Sequence, residues 1–144
     1  MNSDSTPAYG QGDATFQAAG GEAGVRALVD CFYDIMSSDV RFATIWSWHP
    51  DDPELSRDKL ARFLCAWMGG PRRFSEKYGP ISIPKAHQHL PVTEAERDQW
   101  LDCMTLALNQ QGYPAALVEY LQLQLAVPAG RVLQLRQRLD VAGS

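Results

Sequence analysis

The sequence predicts an all-α fold, and three observations support this prediction. Apolar residues recur at intervals of three and four in several segments, as they do along one face of a helix. Two segments open with helix-start signals, Asp52-Pro53 and Thr93-x-x-Glu96. No segment alternates apolar and polar residues as a half-buried strand does. The 144 residues are enough for one domain with a hydrophobic core.

The domain is expected to span residues 15–140, between an N-terminal arm and a C-terminal tail. Residues 1–14 are expected to be flexible because Ser, Gly, Asp and Pro are frequent near the N-terminus. Residues 141–144 form the short tail. The first amphipathic helix is predicted from Gly21 to Met36, and a short helix from Val40 to Ile45. The apolar face of the first helix consists of Val25, Leu28, Val29, Phe32 and Ile35.

The next helix is predicted to begin after Asp52, a favourable N-cap, with Pro53 at its first position. Gly69-Gly70-Pro71 ends it. Residues 72–91 contain three further prolines and are predicted to be irregular, with at most one turn near residues 85–89. The apolar stripe of the helix consists of Leu60, Phe63, Leu64, Trp67 and Met68.

Two helices are predicted in the C-terminal third of the chain. Thr93 and Glu96 form a capping box at the start of the first, and Gly112 ends it. Pro114 restarts a helix that runs towards Leu139, with a bend expected where Pro128 removes a hydrogen bond.

Composition excludes several classes of function. A net charge of −4 and a pI near 5.3 argue against nucleic acid and anionic membranes as partners. No run of about 18 apolar residues indicates a membrane span, and the N-terminus does not resemble a secretory signal. Cys31, Cys65 and Cys103 are widely spaced within apolar helical patterns, which is typical of reduced thiols in a cytoplasmic protein.

The histidines of the KAHQHLP segment are the first candidates for a site. His87-x-His89 lacks the further ligands that a zinc site requires at short spacing, and no nucleophile elbow or Gly-rich phosphate loop is present. A haem pocket in an all-α protein uses one loop histidine, an apolar slot and a few polar groups. The residues alone leave open that His87 and His89 are ordinary loop side chains, and that Tyr33 and Trp100 are core aromatics.

Four segments resemble those of the group II truncated haemoglobins. They are FYDIM (32–36), PDDPELSRDKLARFL (50–64), AWMGGPRRFSEKYG (66–79) and ERDQWLDCM (96–104). The resemblance extends from about Gly20 to Leu139. It implies the short globin fold, a two-over-two helical sandwich around haem b (iron protoporphyrin IX).

By the same resemblance, Tyr33 and Trp100 match the distal tyrosine and tryptophan, which donate hydrogen bonds to a bound ligand. His49 matches an aromatic position at the haem edge and is a further candidate donor. Ser56 matches the small distal position of the helix that follows, and Leu60, one turn later, is expected to contact the porphyrin.

The resemblance also indicates the proximal ligand of the iron. Counting back from the Glu96 signature identifies His87, whereas His89 is expected to be a solvated loop residue. Phe63 and Trp67 are expected to line the pocket, together with Leu90. The proximal loop departs from the family pattern, because Ala86 replaces a basic residue and Leu90 an aromatic one.

The function implied is binding of the diatomic gases O2, NO and CO, with NO dioxygenation or peroxide chemistry rather than oxygen transport. Several hydrogen-bond donors should slow ligand release, which suits redox chemistry. A reductase would be a partner, and the protein is expected to be a monomer or homodimer. Three alternatives remain: a specialised haem enzyme with an organic substrate, a haem-based sensor, and a globin that no longer binds haem.

Overall fold

The computed structural model describes residues 9–142, and the regular structure in that range is entirely helical. This confirms the all-α prediction. Residues 1–8 of the expected N-terminal arm lie outside the described residues. The helices are α1 (Ala14–Ala18), α2 (Gly21–Ser38), a 3-10 turn (Val40–Phe42), α3 (Ala43–Ser47), α4 (Pro53–Trp67), α5 (Arg73–Tyr78), α6 (Ile83–Ala86), α7 (Glu94–Gln110) and α8 (Ala115–Ala142).

The predicted caps of α4 and α7 are both present. The Asp52 carboxylate accepts hydrogen bonds from the amides of Glu54 (3.1 Å) and Leu55 (3.3 Å). Thr93 and Glu96 form the reciprocal capping box, with the Thr93 amide 2.8 Å from Oε1 of Glu96. These local bonds satisfy donors that the first turn of a helix leaves free, which explains why sequence located both helix starts.

Helix α2 is the centre of the fold. It packs against α4 on one side and against α7 on the other, and α7 packs against α8. The pair α2/α4 therefore lies over the pair α7/α8. All four helices contribute fully buried side chains, among them Val25, Leu28, Val29 and Phe32 from α2, Leu64 from α4, Met104 and Leu108 from α7, and Leu117 and Leu121 from α8.

Gly69 follows the end of α4 and lets the backbone around Gly12 approach closely. Gly69 has φ +92°, and a Cβ there would lie 1.9 Å from the carbonyl oxygen of Gly12. Beside it, the Phe16 amide donates to the Met68 carbonyl at 3.1 Å. The turn that leads into α1 is thereby held against the end of α4.

The prediction of irregular structure after Pro71 was wrong for residues 73–78, which form α5. The six residues are too few for a periodic pattern. Tertiary contacts stabilise them: Phe74 is buried, and Lys77 and Tyr78 both donate to Oδ2 of Asp58 on α4, at 2.9 Å from the lysine Nζ. The single turn predicted near residues 85–89 is present slightly earlier, as α6.

Helix α8 continues through Pro128 to Ala142 and supports the segment around α6. Leu133 is 5% exposed, and Nη1 of Arg136 donates to the carbonyl of Gln88 at 3.3 Å. The second half of α8 therefore contacts the loop that contains His87. None of the helices in residues 9–142 combines the length and hydropathy needed to cross a membrane.

The Asp58 cluster predicts an acid-dependent loss of stability. Burial alone would raise the pKa of Asp58, but hydrogen bonds from Tyr78, Lys77 and Arg62 outweigh it and hold the pKa well below its usual range. A carboxyl whose pKa is lower in the folded state stabilises the fold above its unfolded pKa, about 3.9, and this contribution is lost as the pH falls.

We therefore expect Asp58→Asn to lower the free energy of unfolding by about 1–3 kcal/mol at pH 7. The difference from wild type should shrink as the pH falls from about 5 towards 2, when measured by urea unfolding. Asp51→Asn, at an exposed position before α4, is the control and should change little. A difference for Asp58→Asn that does not vary with pH would contradict this account.

Candidate functional site

His87 follows α6 and has a defined hydrogen bond. Its Nδ1 lies 2.8 Å from the carbonyl oxygen of Ile83, one turn earlier. Because a carbonyl oxygen only accepts, Nδ1 carries the hydrogen, and Nε2 of the neutral ring has a free lone pair. A ring oriented by a carbonyl in this way is suited to bind a metal through Nε2. His89, two residues later, is exposed.

Tyr33 and Trp100 provide two hydrogen-bond donors without protein partners. Tyr33 is 6% exposed, and Trp100 is half-buried. Both rings pack edge-on against Phe32, with centroid distances of 5.0 Å and 5.2 Å. Within residues 9–142 neither the Tyr33 hydroxyl nor the Trp100 indole N–H makes a hydrogen bond. Neither polar atom is among the buried ones that lack a partner, so both remain accessible and are candidates to bind a ligand.

His49 lies against Tyr33. The two ring centroids are 5.3 Å apart at an angle of 81°, and the imidazole stacks on Trp46 at 5.7 Å. Its Nδ1 lies 2.8 Å from the carbonyl oxygen of Ile45. Burial lowers the pKa of His49, and the charge of a protonated His87 acts in the same direction. The two histidines are therefore close enough to interact electrostatically.

Helix α4 contributes a half-buried stripe to the same region. It consists of Ser56, Leu60, Phe63 and Trp67. These residues are spaced by four, three and four positions, so they share one face of the helix. The Ser56 hydroxyl makes no hydrogen bond to a described residue. Leu90 is half-buried after the His87 turn, and its amide donates to the His87 carbonyl at 3.0 Å.

These residues fit a flat apolar cofactor with one axial ligand. Nε2 of His87 makes no hydrogen bond to a described residue, two donors lack partners among the described residues, and the apolar stripe of α4 is partly exposed. This is the combination that a haem pocket needs. In residues 9–142, no three His, Cys, Asp or Glu side chains come together as a site for a bare metal ion.

Arg57 contacts the Tyr33 ring, and this contact was not predicted from the sequence. The guanidinium of Arg57 lies 5.9 Å from the centroid of the Tyr33 ring. It also pairs with Asp30 at 3.0 Å and with Asp34 at 2.7 Å, both on α2. The available signal was weak, because an arginine beside the small Ser56 gives no sign of contacts 23 and 27 residues away.

Arg57 lowers the pKa of two groups on α2, the Asp30 carboxyl and the Tyr33 phenol, relative to the values that burial alone would give. Burial tends to raise the pKa of Asp30, but hydrogen bonds from Arg57 and Arg26 lower it below the usual value. Burial raises the pKa of the Tyr33 phenol, and the charge of Arg57 opposes this increase. Tyr33 therefore remains a neutral donor in the physiological pH range.

Comparison with known proteins gives a consistent result. The family model of the bacterial-like globins matches residues 14–128. The group 2 truncated hemoglobin YjbI of Bacillus subtilis is 28% identical over 128 residues, which is 89% of this chain and 94% of the relative.

Two solved structures are similar over most of their lengths. The cold-adapted truncated hemoglobin of Pseudoalteromonas haloplanktis TAC125 has a TM-score of 0.79 and 31% identity, covering 83% of this chain and 96% of its own. The group II 2-on-2 hemoglobin of Agrobacterium tumefaciens has a TM-score of 0.78 and 30% identity, covering 92% and 97%. These similarities confirm the predicted two-over-two helical sandwich.

We expect Arg57→Gln to lower the free energy of unfolding by about 1–2 kcal/mol, because it removes two ion pairs and the cation beside Tyr33. Denaturant unfolding at low and high salt would measure the change. Arg41→Gln is the matched control, since Arg41 is 66% exposed and its contacts with Asp39 and the Phe42 ring are local in the sequence. Equal effects of the two substitutions would show that the Arg57 contacts have no special role.

Proposed function

The chain belongs to the bacterial-like globin family, and on that basis we propose that it binds haem b through His87 and holds diatomic ligands opposite it. Globins of this family bind haem and gaseous ligands. Haem iron would supply the ligand-binding and redox chemistry when the group is bound. The apolar stripe of α4 and Leu90 would contact the porphyrin.

The observation that best supports this proposal is the pair of donors without partners. Tyr33 on α2 and Trp100 on α7 both contact the Phe32 ring, and both have polar hydrogens without a partner among the described residues. A gas ligand that gained partial negative charge would accept hydrogen bonds from both residues, and a hydrogen bond to a charged acceptor contributes roughly 1.5–3 kcal/mol. Two such bonds would retain O2 and slow its release.

Slow release favours redox chemistry over transport. A protein that exchanges O2 rapidly needs weak distal hydrogen bonds, whereas retained O2 has time to react with NO or to be reduced. We therefore propose NO dioxygenation or peroxide chemistry as the activity, with a cytoplasmic location and an electron-donating reductase as partner. The preorganised donors would stabilise negative charge on the oxygen atoms of the substrate.

The proximal assignment is tested with histidine variants. Wild-type protein reconstituted with haem should show an intense Soret band, and His87→Gly should lose haem readily because the iron has no axial ligand. Added imidazole should restore the spectrum of His87→Gly. His89→Gly is the control and should resemble wild type. Loss of the spectrum in His89→Gly alone would refute His87 as the ligand, and absence of haem uptake by wild type would refute the proposed function.

The distal assignment is tested by O2 dissociation. We expect Tyr33→Phe and Trp100→Phe each to raise the dissociation rate about tenfold or more, since about 1.4 kcal/mol corresponds to a factor of ten. Stopped-flow replacement of O2 by CO gives the rate. Tyr120→Phe is the control, because Tyr120 is half-buried on α8 against Tyr9. Unchanged rates in both distal variants would contradict the donor roles.

A further inference from the structure

We infer that Nε2 of His49 is the proton acceptor of the distal site, and that a protic ligand such as hydrogen peroxide gives its proton to this atom. Tyr33 and Trp100 each offer a hydrogen to a ligand, whereas Nε2 of His49 offers a lone pair. The inference rests on the proposed function for its ligand. It assigns to His49 a role different from the donor role expected from sequence.

The polarity of His49 follows from its contact with Ile45. A backbone carbonyl oxygen has no hydrogen, so the 2.8 Å contact requires a hydrogen on Nδ1. In the neutral ring Nε2 then has a lone pair and no hydrogen. Such a nitrogen accepts a hydrogen bond or a proton and has nothing to donate to bound O2.

The surroundings hold the ring in this orientation. The imidazole stacks on Trp46 at an interplanar angle of 25°, and the His49 amide donates to the Trp46 carbonyl at 3.1 Å. Rotating the ring by 180° would leave the Ile45 carbonyl at the end of α3 without this partner. Burial lowers the pKa of His49, so the ring is neutral at pH 7.

Nε2 of His49 is a hydrogen-bond acceptor, and the hydroxyl of the neighbouring Tyr33 is a donor. Tyr33 lies edge-on to the imidazole, and its hydroxyl makes no hydrogen bond to His49 or to any other described residue. Nε2 and the Tyr33 hydroxyl therefore both lack a protein partner, on rings whose centroids are 5.3 Å apart. Hydrogen peroxide has one oxygen that can donate a hydrogen and one that can accept, which matches this pair.

The proposed step is a heterolytic proton transfer. The O–H bond of hydrogen peroxide breaks, its electron pair stays on oxygen, and the proton forms a new N–H bond at Nε2. The products are hydroperoxide anion and the imidazolium form of His49, with no change of oxidation state. The transfer is uphill in water, and the positive charge of ferric iron near the site would favour the anion.

The tautomer is tested directly by 15N NMR, with or without haem. The three histidines of the chain are assigned by comparison with His49→Phe and His89→Phe. At pH 7 we expect the Nδ1 of His49 to carry the hydrogen and Nε2 to show the shift of an unprotonated ring nitrogen, in both haem-free and CO-bound protein. A hydrogen on Nε2 would overturn the inference, even if the protein binds haem as proposed.

Kinetics of the haem-loaded protein distinguish acceptor from donor. We expect His49→Phe to slow the reaction with hydrogen peroxide by about 10²-fold, a typical effect of losing a general base, and to change O2 dissociation less than threefold. His89→Phe should leave both rates unchanged. A tenfold faster loss of O2 with an unchanged peroxide reaction would show that His49 is a donor. Failure of wild type to bind haem would instead refute the proposed function, and the NMR result would still decide the tautomer.

Discussion

The contacts of Phe32 are the constraint on which the candidate site depends. Its ring is fully buried where α2 meets α7, and it touches Tyr33 at 5.0 Å and Trp100 at 5.2 Å between centroids. Burying a phenylalanine stabilises the fold by roughly 1.5–3 kcal/mol, so α2 cannot slide along α7 without losing that energy. The relative positions of the two candidate donors, Tyr33 and Trp100, are therefore a consequence of core packing. Arg57 then supports Tyr33 from α4.

The two histidines of the site make the same kind of local hydrogen bond. His49 and His87 each follow a short helix, and each donates Nδ1–H to the carbonyl of an isoleucine four residues earlier, at 2.8 Å. The last carbonyls of a helix lack amide partners four residues later, so a histidine placed there can donate to one of them, and the Ile45 carbonyl also accepts from the Trp48 amide at 3.2 Å. The same bond determines which nitrogen remains free. In the neutral form of each ring the lone pair is therefore on Nε2, which His87 would use for a metal and His49 for a proton.

The proximal side combines an atypical loop with an external support. Ala86 and Leu90 stand where the family usually has a basic and an aromatic residue, and α6 has only four residues. The second half of α8 contacts this segment, with Leu133 buried and Arg136 donating to the Gln88 carbonyl. A long helix with its own hydrogen bonds provides rigidity that the short segment lacks.

Sequence by itself determined the elements whose signals are local. The caps at Asp52 and Thr93 and the apolar periodicity of α2 and α4 defined the main helices, because these interactions join residues within one turn. Resemblance to a family then indicated His87, Tyr33 and Trp100 as candidate site residues. Only the tertiary structure decided the six-residue helix α5, the place of Arg57 beside Tyr33, and the polarity of His49. The first two depend on contacts between distant segments, and the third depends on the orientation of one ring. None of the three produces a periodic pattern in the sequence.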